Sequence, residues 1–208
     1  VLTDNQADDV SPSIAQFDDR RIWVVWHAQR NEDFDIYYKA SSAIIAYDVA
    51  VTNVSPSVTR VNQGETISIS VVVQNQGERN ENFDVDCYAN QTIVGSEATT
   101  LASGTSTTLT FLWLTTGVDY GNYTIIAEAS VVSGEIDTVD NLYVDGEVTV
   151  TFPGDVNGDL TVNIYDLILL NQAFGSTPGG PSWDQYVDIN KDNIVNALDV
   201  LLLGKKYG

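Results

Sequence analysis

Two twelve-residue stretches of this chain repeat one pattern of side-chain oxygens, and no other feature limits its folding as tightly. Residues 155–166 read DVNGDLTVNIYD and residues 188–199 read DINKDNIVNALD. Positions 1, 3, 5, 9 and 12 of both are Asp, Asn, Asp, Asn and Asp. A hard cation such as calcium takes six to eight oxygen ligands. A loop of this length supplies them from side chains at positions 1, 3 and 5, a backbone carbonyl at 7, a water held by 9 and a carboxylate at 12. The expected donors are Asp155, Asn157, Asp159, the carbonyl of Thr161, Asn163 and Asp166. The second set is Asp188, Asn190, Asp192, the carbonyl of Ile194, Asn196 and Asp199. One polar turn matches such a pattern by chance; two in register make chance a poor explanation.

A helix is expected after each loop. Leu167, Leu170 and Phe174 recur at helical spacing, as do Val200 and Leu203, and Gly175 and Gly208 stand where helices commonly stop. No helical pattern precedes either loop, as an EF-hand would require. The first loop follows a strand-like run and Pro-Gly; the second follows the Pro- and Gly-rich stretch STPGGPSWDQYV. Position 6 of such a loop makes a sharp turn at positive φ, which favours glycine. Here it is Leu160 in the first loop and Asn193 in the second. Asparagine visits that region more easily than leucine, so the first site is expected to be the weaker.

Duplicated loop-plus-helix units with Asp at position 12 mark the dockerin family, and residues 153–208 resemble a dockerin over its full length. The resemblance implies two bound Ca2+ and docking of the helices onto a cohesin β-sandwich of another protein. The family's recognition positions fall on Ile164, Tyr165, Gln172 and Ala173 in the first repeat. In the second they fall on Ala197, Leu198, Lys205 and Lys206. Several depart from the Ser/Thr pair common in cellulosomal dockerins, which points away from a cellulosome partner. Apolar Tyr165 and Leu198 fit a partner contact and internal packing equally well.

Upstream, apolar periodicity shortens from the helical period to two. Residues 44–152 hold seven strand-like runs: YDVAVTNVS, TISISVVVQN, FDVDCYAN, TIVGSEA, TTLTFLWL, NYTIIAEAS and EVTVTF. Alternation puts Ile67, Ile69, Val71 and Val73 on one face, and Leu109, Phe111 and Trp113 on another. This predicts a seven-stranded antiparallel sandwich that folds without metal. The pieces YDVAVTNVSPS, QGETISISVVVQNQG, GNYTIIAEA and DTVDN resemble the CARDB family, immunoglobulin-like domains of bacterial and archaeal surface proteins. That resemblance implies a spacer or adhesion role. Asp137, Asp140 and Asn141 cluster in one loop, read as a solvated strand connection, with a metal site the less favoured alternative. Asn53, Asn90 and Asn122 head N-x-Ser/Thr sequons and are candidate glycosylation sites if a glycosylating cell exports the chain.

Residues 1–43 contain RIWVVWHAQ, the turn RNED and FDIYYKASS, which read as a β-hairpin. With PSIAQFDD before it, the segment resembles one blade repeat of a β-propeller. Trp23, Trp26, Tyr37 and Tyr38 fit sheet-face packing better than a sugar platform. The fold class is therefore mainly β with a small α C-terminal domain: hairpin stub 1–43, immunoglobulin-like sandwich 44–152, calcium-binding module 153–208.

Charge narrows function. The chain has 29 acidic and 9 basic residues, for a formal charge of −20. That excludes a nucleic-acid partner, which needs a basic face, and suits divalent cations. No apolar run is long enough to span a membrane. Cys87 is the sole cysteine, so there is no internal disulfide; it alternates with Phe83, Val85 and Ala89 as a core thiol, far in sequence from the only histidine, His27. No acid pair is framed as a catalytic site, and no enzymatic role is expected. The sequence supports a calcium-dependent docking module on a spacer, forming the C-terminal part of a larger secreted or cell-surface protein. The alternatives are an adhesion protein that calcium only stiffens, and an accessory region of an upstream carbohydrate-active enzyme or protease.

Overall fold

Strand-forming residues dominate the chain up to residue 151, and helix appears only after the two acidic loops. The computed structural model describes residues 9–16, 22–30, 33–40 and 46–207. β1 (Asp9–Gln16), β2 (Ile22–Arg30) and β3 (Asp33–Ala40) form a three-stranded antiparallel sheet with β2 central. The expected hairpin is β2–β3; turn residues 31 and 32 lie outside the described residues. Trp26 faces Tyr37 across the strands, ring centroids 6.0 Å apart, and Trp23 lies 5.5 Å from Tyr38. The aromatics thus pack on one another. The described residues give this sheet three strands, where a propeller blade carries four.

The sandwich contains β4 (Val49–Pro56), β5 (Arg60–Asn62), β6 (Thr66–Asn75), β7 (Glu81–Ala89), β8 (Thr92–Leu101), β9 (Ser106–Leu114), β10 (Gly121–Ala129) and β11 (Leu142–Thr151). One sheet runs β5-β11-β10-β7-β8 and the other β4-β6-β9. The period-two pattern does what it predicts: Ile69, Val71, Val73, Val85 and Cys87 are fully buried, with Phe83, Phe111 and Trp113 almost so. Burial pushes the Cys87 thiol up to about 12. Asn53, Asn90 and Asn122 are exposed.

There are eight strands here, not seven. The added β5 is three residues long, too short to show alternation, and exists because it pairs in parallel with β11. Hydrogen bonds from Thr149 N to Thr59 O (2.9 Å) and from Gln63 N to Thr151 O (2.8 Å) extend that pairing at both ends. This short strand matters beyond its size, because it lies against the C-terminal module.

Two helices follow, α1 (Ile164–Ala173) and α2 (Ala197–Gly204). They are the only helices among the described residues, and neither leads directly into a loop: α1 is separated from the second loop by the stretch that begins at Phe174 and ends at Val187. Their core joins Val156 and Val162 of the first loop, Val187 and Val195 around the second, and Leu170, Ala173 and Leu203 of the helices. Gly175, at φ +84°, takes the left-handed position after α1. Its N–H donates to Val195 O (2.8 Å) and Val195 N donates to Ser176 O (3.1 Å), which ties the end of α1 to the second loop. Phe174 and Val200 are half-exposed and outside this core, contrary to their helical-spacing reading. α2 stops at Gly204, before Gly208.

Candidate metal centre and docking face

Each acidic loop is organised around its first and last aspartates. Asp155 Oδ1 accepts from Gly158 N (2.9 Å) and Asp159 N (3.1 Å), and Oδ2 accepts from Leu160 N (3.0 Å). Asp166 Oδ1 accepts from Val156 N (2.7 Å) and Asn157 N (3.1 Å), and Oδ2 from Asn163 N (2.8 Å). The second loop repeats this. Asp188 accepts from Asp192 N (3.2 Å) and Asn193 N (2.8 Å). Asp199 accepts from Ile189 N, Asn190 N and Asn196 N at 2.9, 3.2 and 2.8 Å. The twofold repetition in sequence is thus a twofold repetition in bonding.

The intermediate donors sit on the outside of the loops. Asn157 Nδ2 donates to Asp159 Oδ2 (2.8 Å), and Asn190 Nδ2 to Asp192 Oδ2 (2.9 Å). Asp159 Oδ1 accepts from Thr161 N (2.8 Å), and Asp192 Oδ1 from Ile194 N (2.9 Å). In the second loop Asn196 also donates to Ile194 O (3.1 Å), which draws positions 7 and 9 together. Among the described residues, no three His, Cys, Asp or Glu side chains form a metal-binding group. The aspartates instead bond to their own loop's N–H groups.

The loops nevertheless fit a cation. Asp155, Asp166, Asp188 and Asp199 are at most 4% exposed, yet among the described residues no basic side chain lies within ion-pair distance of any of them. A buried charge is costly unless it is paired. The surrounding donor set is all oxygen, the chemistry of a hard divalent ion.

Sequence reasoning missed a second role for positions 9 and 12. Asn163 and Asn196 are helix N-caps, accepting from Tyr165 N and Leu198 N (2.8 Å each), and Asp166 and Asp199 complete capping boxes. The signal was legible: Asn three residues before Asp at a helix start. The expected ligands at positions 9 and 12 are therefore also the side chains that start the helix of each repeat. Leu160 and Asn193 have φ of +65° and +67°, as their loop position requires.

The expected recognition residues divide. Ile164, Tyr165, Gln172, Ala197, Leu198, Lys205 and Lys206 are exposed. Tyr165 and Leu198, at 64% and 54% exposure, are not packing residues. Ala173 is a correction: it faces inward into the module's core and offers no surface. Lys205 is the C-cap of α2 and Lys206 lies beyond it. Ile164, Ile168, Gln172, Phe174 and Val200 border a groove of about 490 Å³.

The loop around Asp140 is also corrected. Asn141 is 3% exposed, and Asp140 is half-buried beside Asp48 and Glu135, so this connection is not simply solvated. Burial first, then neighbouring carboxylates, raise both Asp48 and Asp140 from the ordinary carboxylate value, against a backbone hydrogen bond that lowers Asp140. Glu135 is a structural acceptor here, bonded by Val49 N and Val132 N at 2.8 Å each.

Comparison with known proteins matches two segments of the chain. Residues 153–207 match the dockerin type I domain, and residues 46–141 match the CARDB domain. The chain therefore carries a CARDB domain followed by a dockerin type I domain. Dockerin domains bind calcium, and both modules are non-catalytic and typical of extracellular or surface proteins. Among solved structures, the CARDB domain of a Pyrococcus furiosus protein, crystallised with di-metal ions, is 24% identical, covering 50% of this chain and 89% of that one at TM-score 0.43. An Erythrobacter marinus β-glucosidase is 15% identical, covering 51% of this chain and 15% of that one at TM-score 0.39. A Listeria innocua β-glucosidase is 14% identical, covering 55% and 17% at TM-score 0.38. No curated protein matches the chain. No helix of the described residues is long and apolar enough to cross a membrane.

Proposed function

We propose that this chain is a calcium-dependent docking module on an immunoglobulin-like spacer, and that it tethers a larger exported protein to a cohesin on a partner. Two Ca2+ would be held, one by Asp155, Asn157, Asp159, the carbonyl of Thr161, Asn163 and Asp166. The other would be held by Asp188, Asn190, Asp192, the carbonyl of Ile194, Asn196 and Asp199. The metal supplies charge compensation to buried carboxylates and so fixes each helix start. The chain's own residues do the rest: the capping boxes set the starts of α1 and α2, and each helix presents exposed apolar side chains.

The observation that supports this reading is the exposure of Ile164, Tyr165, Ile168, Leu198 and Leu201, between 45% and 64%, on two helices that together have only a small core. Large apolar side chains left exposed on so small a module suit a partner surface. The test is capture of candidate cohesins by the full chain in calcium and in chelator, with Tyr165→Ala and Leu198→Ala alongside. Capture in calcium that both variants weaken supports the proposal. Calcium binding without capture of any cohesin favours the second reading, in which calcium only stabilises the C-terminal domain.

A further inference from the structure

The first loop does not stand clear of the sandwich. Thr151, the last residue of β11 and fully buried, donates its hydroxyl to Asp155 Oδ2, the position-1 carboxylate. Only Phe152, Pro153 and Gly154 separate the two residues, and Phe152 is held edge-on against Tyr120 of the sandwich, 5.0 Å between centroids. One face of that carboxylate is therefore built by the neighbouring domain.

A second contact reaches both loops. Arg60 of β5, its side chain only 15% exposed, lies over the Tyr186 ring at 3.8 Å and 4.0 Å from Asp184; the Tyr186 hydroxyl donates to Arg60 O. Tyr186 and Asp184 immediately precede the second loop. On its other side, the Arg60 stem closes on position 4 of the first loop: a Cβ added to Gly158, at φ +76°, would stand 2.9 Å from Arg60 Cδ. Position 4 of the second loop, Lys191, also has positive φ (+60°), and its ammonium pairs with Glu65 just past β5. That ion pair is largely exposed and counts for little alone. The buried cation–π contact and the Thr151 hydroxyl carry the weight. Each cation has its own anion, Asp184 for Arg60 and Glu65 for Lys191, so the strap brings little net positive charge to the loops.

We propose that Thr151 and Arg60 of the sandwich are positioning residues for the calcium sites, so that calcium affinity and the fixing of the two domains against each other are one coupled equilibrium. This rests on the calcium reading above. A sandwich that holds the loops in their bonded shape before the ion arrives lowers the ordering left for binding to do. By reciprocity, calcium then stabilises the sandwich through the same contacts.

The test is calorimetric calcium titration of the full chain with Thr151→Val, Thr151→Ser and Arg60→Ala, each also melted with and without calcium. A hydrogen bond to a charged group is worth about ten-fold or more in an equilibrium constant. Thr151→Val is expected to weaken the first site by about ten-fold and spare the second, and Thr151→Ser to restore it. Arg60→Ala is expected to weaken both sites several-fold and to abolish the rise in sandwich Tm that calcium gives the wild type. A merely structural role for Thr151 would lower stability without the site selectivity or the serine rescue. Wild-type affinities in all three variants overturn the coupling and leave the calcium reading intact. A wild type that binds no calcium overturns both.

Discussion

Leu160 and Asn193 occupy the same point of the two loops and share left-handed backbone, and each donates its N–H to the position-1 aspartate, at 3.0 Å to Asp155 and 2.8 Å to Asp188. The conformation is intrinsically cheaper for asparagine. For leucine it costs on the order of 1–2 kcal/mol. Loop ordering accompanies metal binding, so this strain counts against affinity. Leu160→Gly is expected to strengthen the first site by roughly five- to thirty-fold, and Asn193→Leu to weaken the second, both read by calcium titration. An unchanged first site in Leu160→Gly would mean that the leucine, 38% exposed, recovers the strain by packing.

Chelation is expected to open the helices and spare the sandwich core. α1 and α2 share seven buried apolar residues with the loops, and four buried aspartates without a cationic partner among the described residues oppose that packing. Hydrogen exchange of the full chain should show residues 164–173 and 197–204 protected in calcium and rapidly exchanging in chelator. The peptides of β6 and β7 should stay protected in both. Equal helix protection in chelator would show that the capping boxes and core suffice alone.

The Asp48–Asp140 pair makes the sandwich sensitive to pH. Burial raises both carboxyls; Asp140, Glu135 and Asp137 add to the rise of Asp48, and Asp137 and Glu135 to that of Asp140, and Asp48 Oδ1 and Asp140 Oδ1 are buried without a hydrogen-bond partner. A folded-state pKa above the unfolded value of 3.8 favours the folded state below 3.8, and that contribution is lost as pH rises through the folded value. Asp48→Asn should therefore raise the sandwich Tm at pH 7 in chelator, and the gain should shrink towards pH 4. A variant less stable than wild type at pH 7 would show that the carboxylate makes a favourable contact.

Cys87 reports sandwich unfolding. Its thiol is fully buried and pushed up to about 12, so almost none is thiolate near neutrality. Alkylation at pH 8 should be negligible in the folded protein and should follow the denaturation curve of β7. Rapid alkylation without denaturant would place the thiol outside the core.

What the sequence made legible was whatever repeats or alternates. Ile67 to Val73 announced a buried strand face through period two, and Asp155 to Asp166 announced a loop through its duplicate 33 residues on. β5 was not legible, because Arg60, Val61 and Asn62 form a strand only through their pairing with β11. Phe174 and Val200 have helical spacing but face outward, since the small core is filled by Leu170, Ala173 and Leu203. The role of Thr151 was hidden for a related reason. A single threonine at a strand end carries no pattern, and only the fold brings it to Asp155.

The most direct test of calcium-dependent docking is calorimetric titration of calcium into the chelator-treated full chain, with Asp166→Ala and Asp199→Ala. The account predicts two ions per wild-type chain and one in each variant, with cohesin capture lost wherever a site is lost. Fewer than two ions in the wild type, or capture that survives chelation, would contradict it.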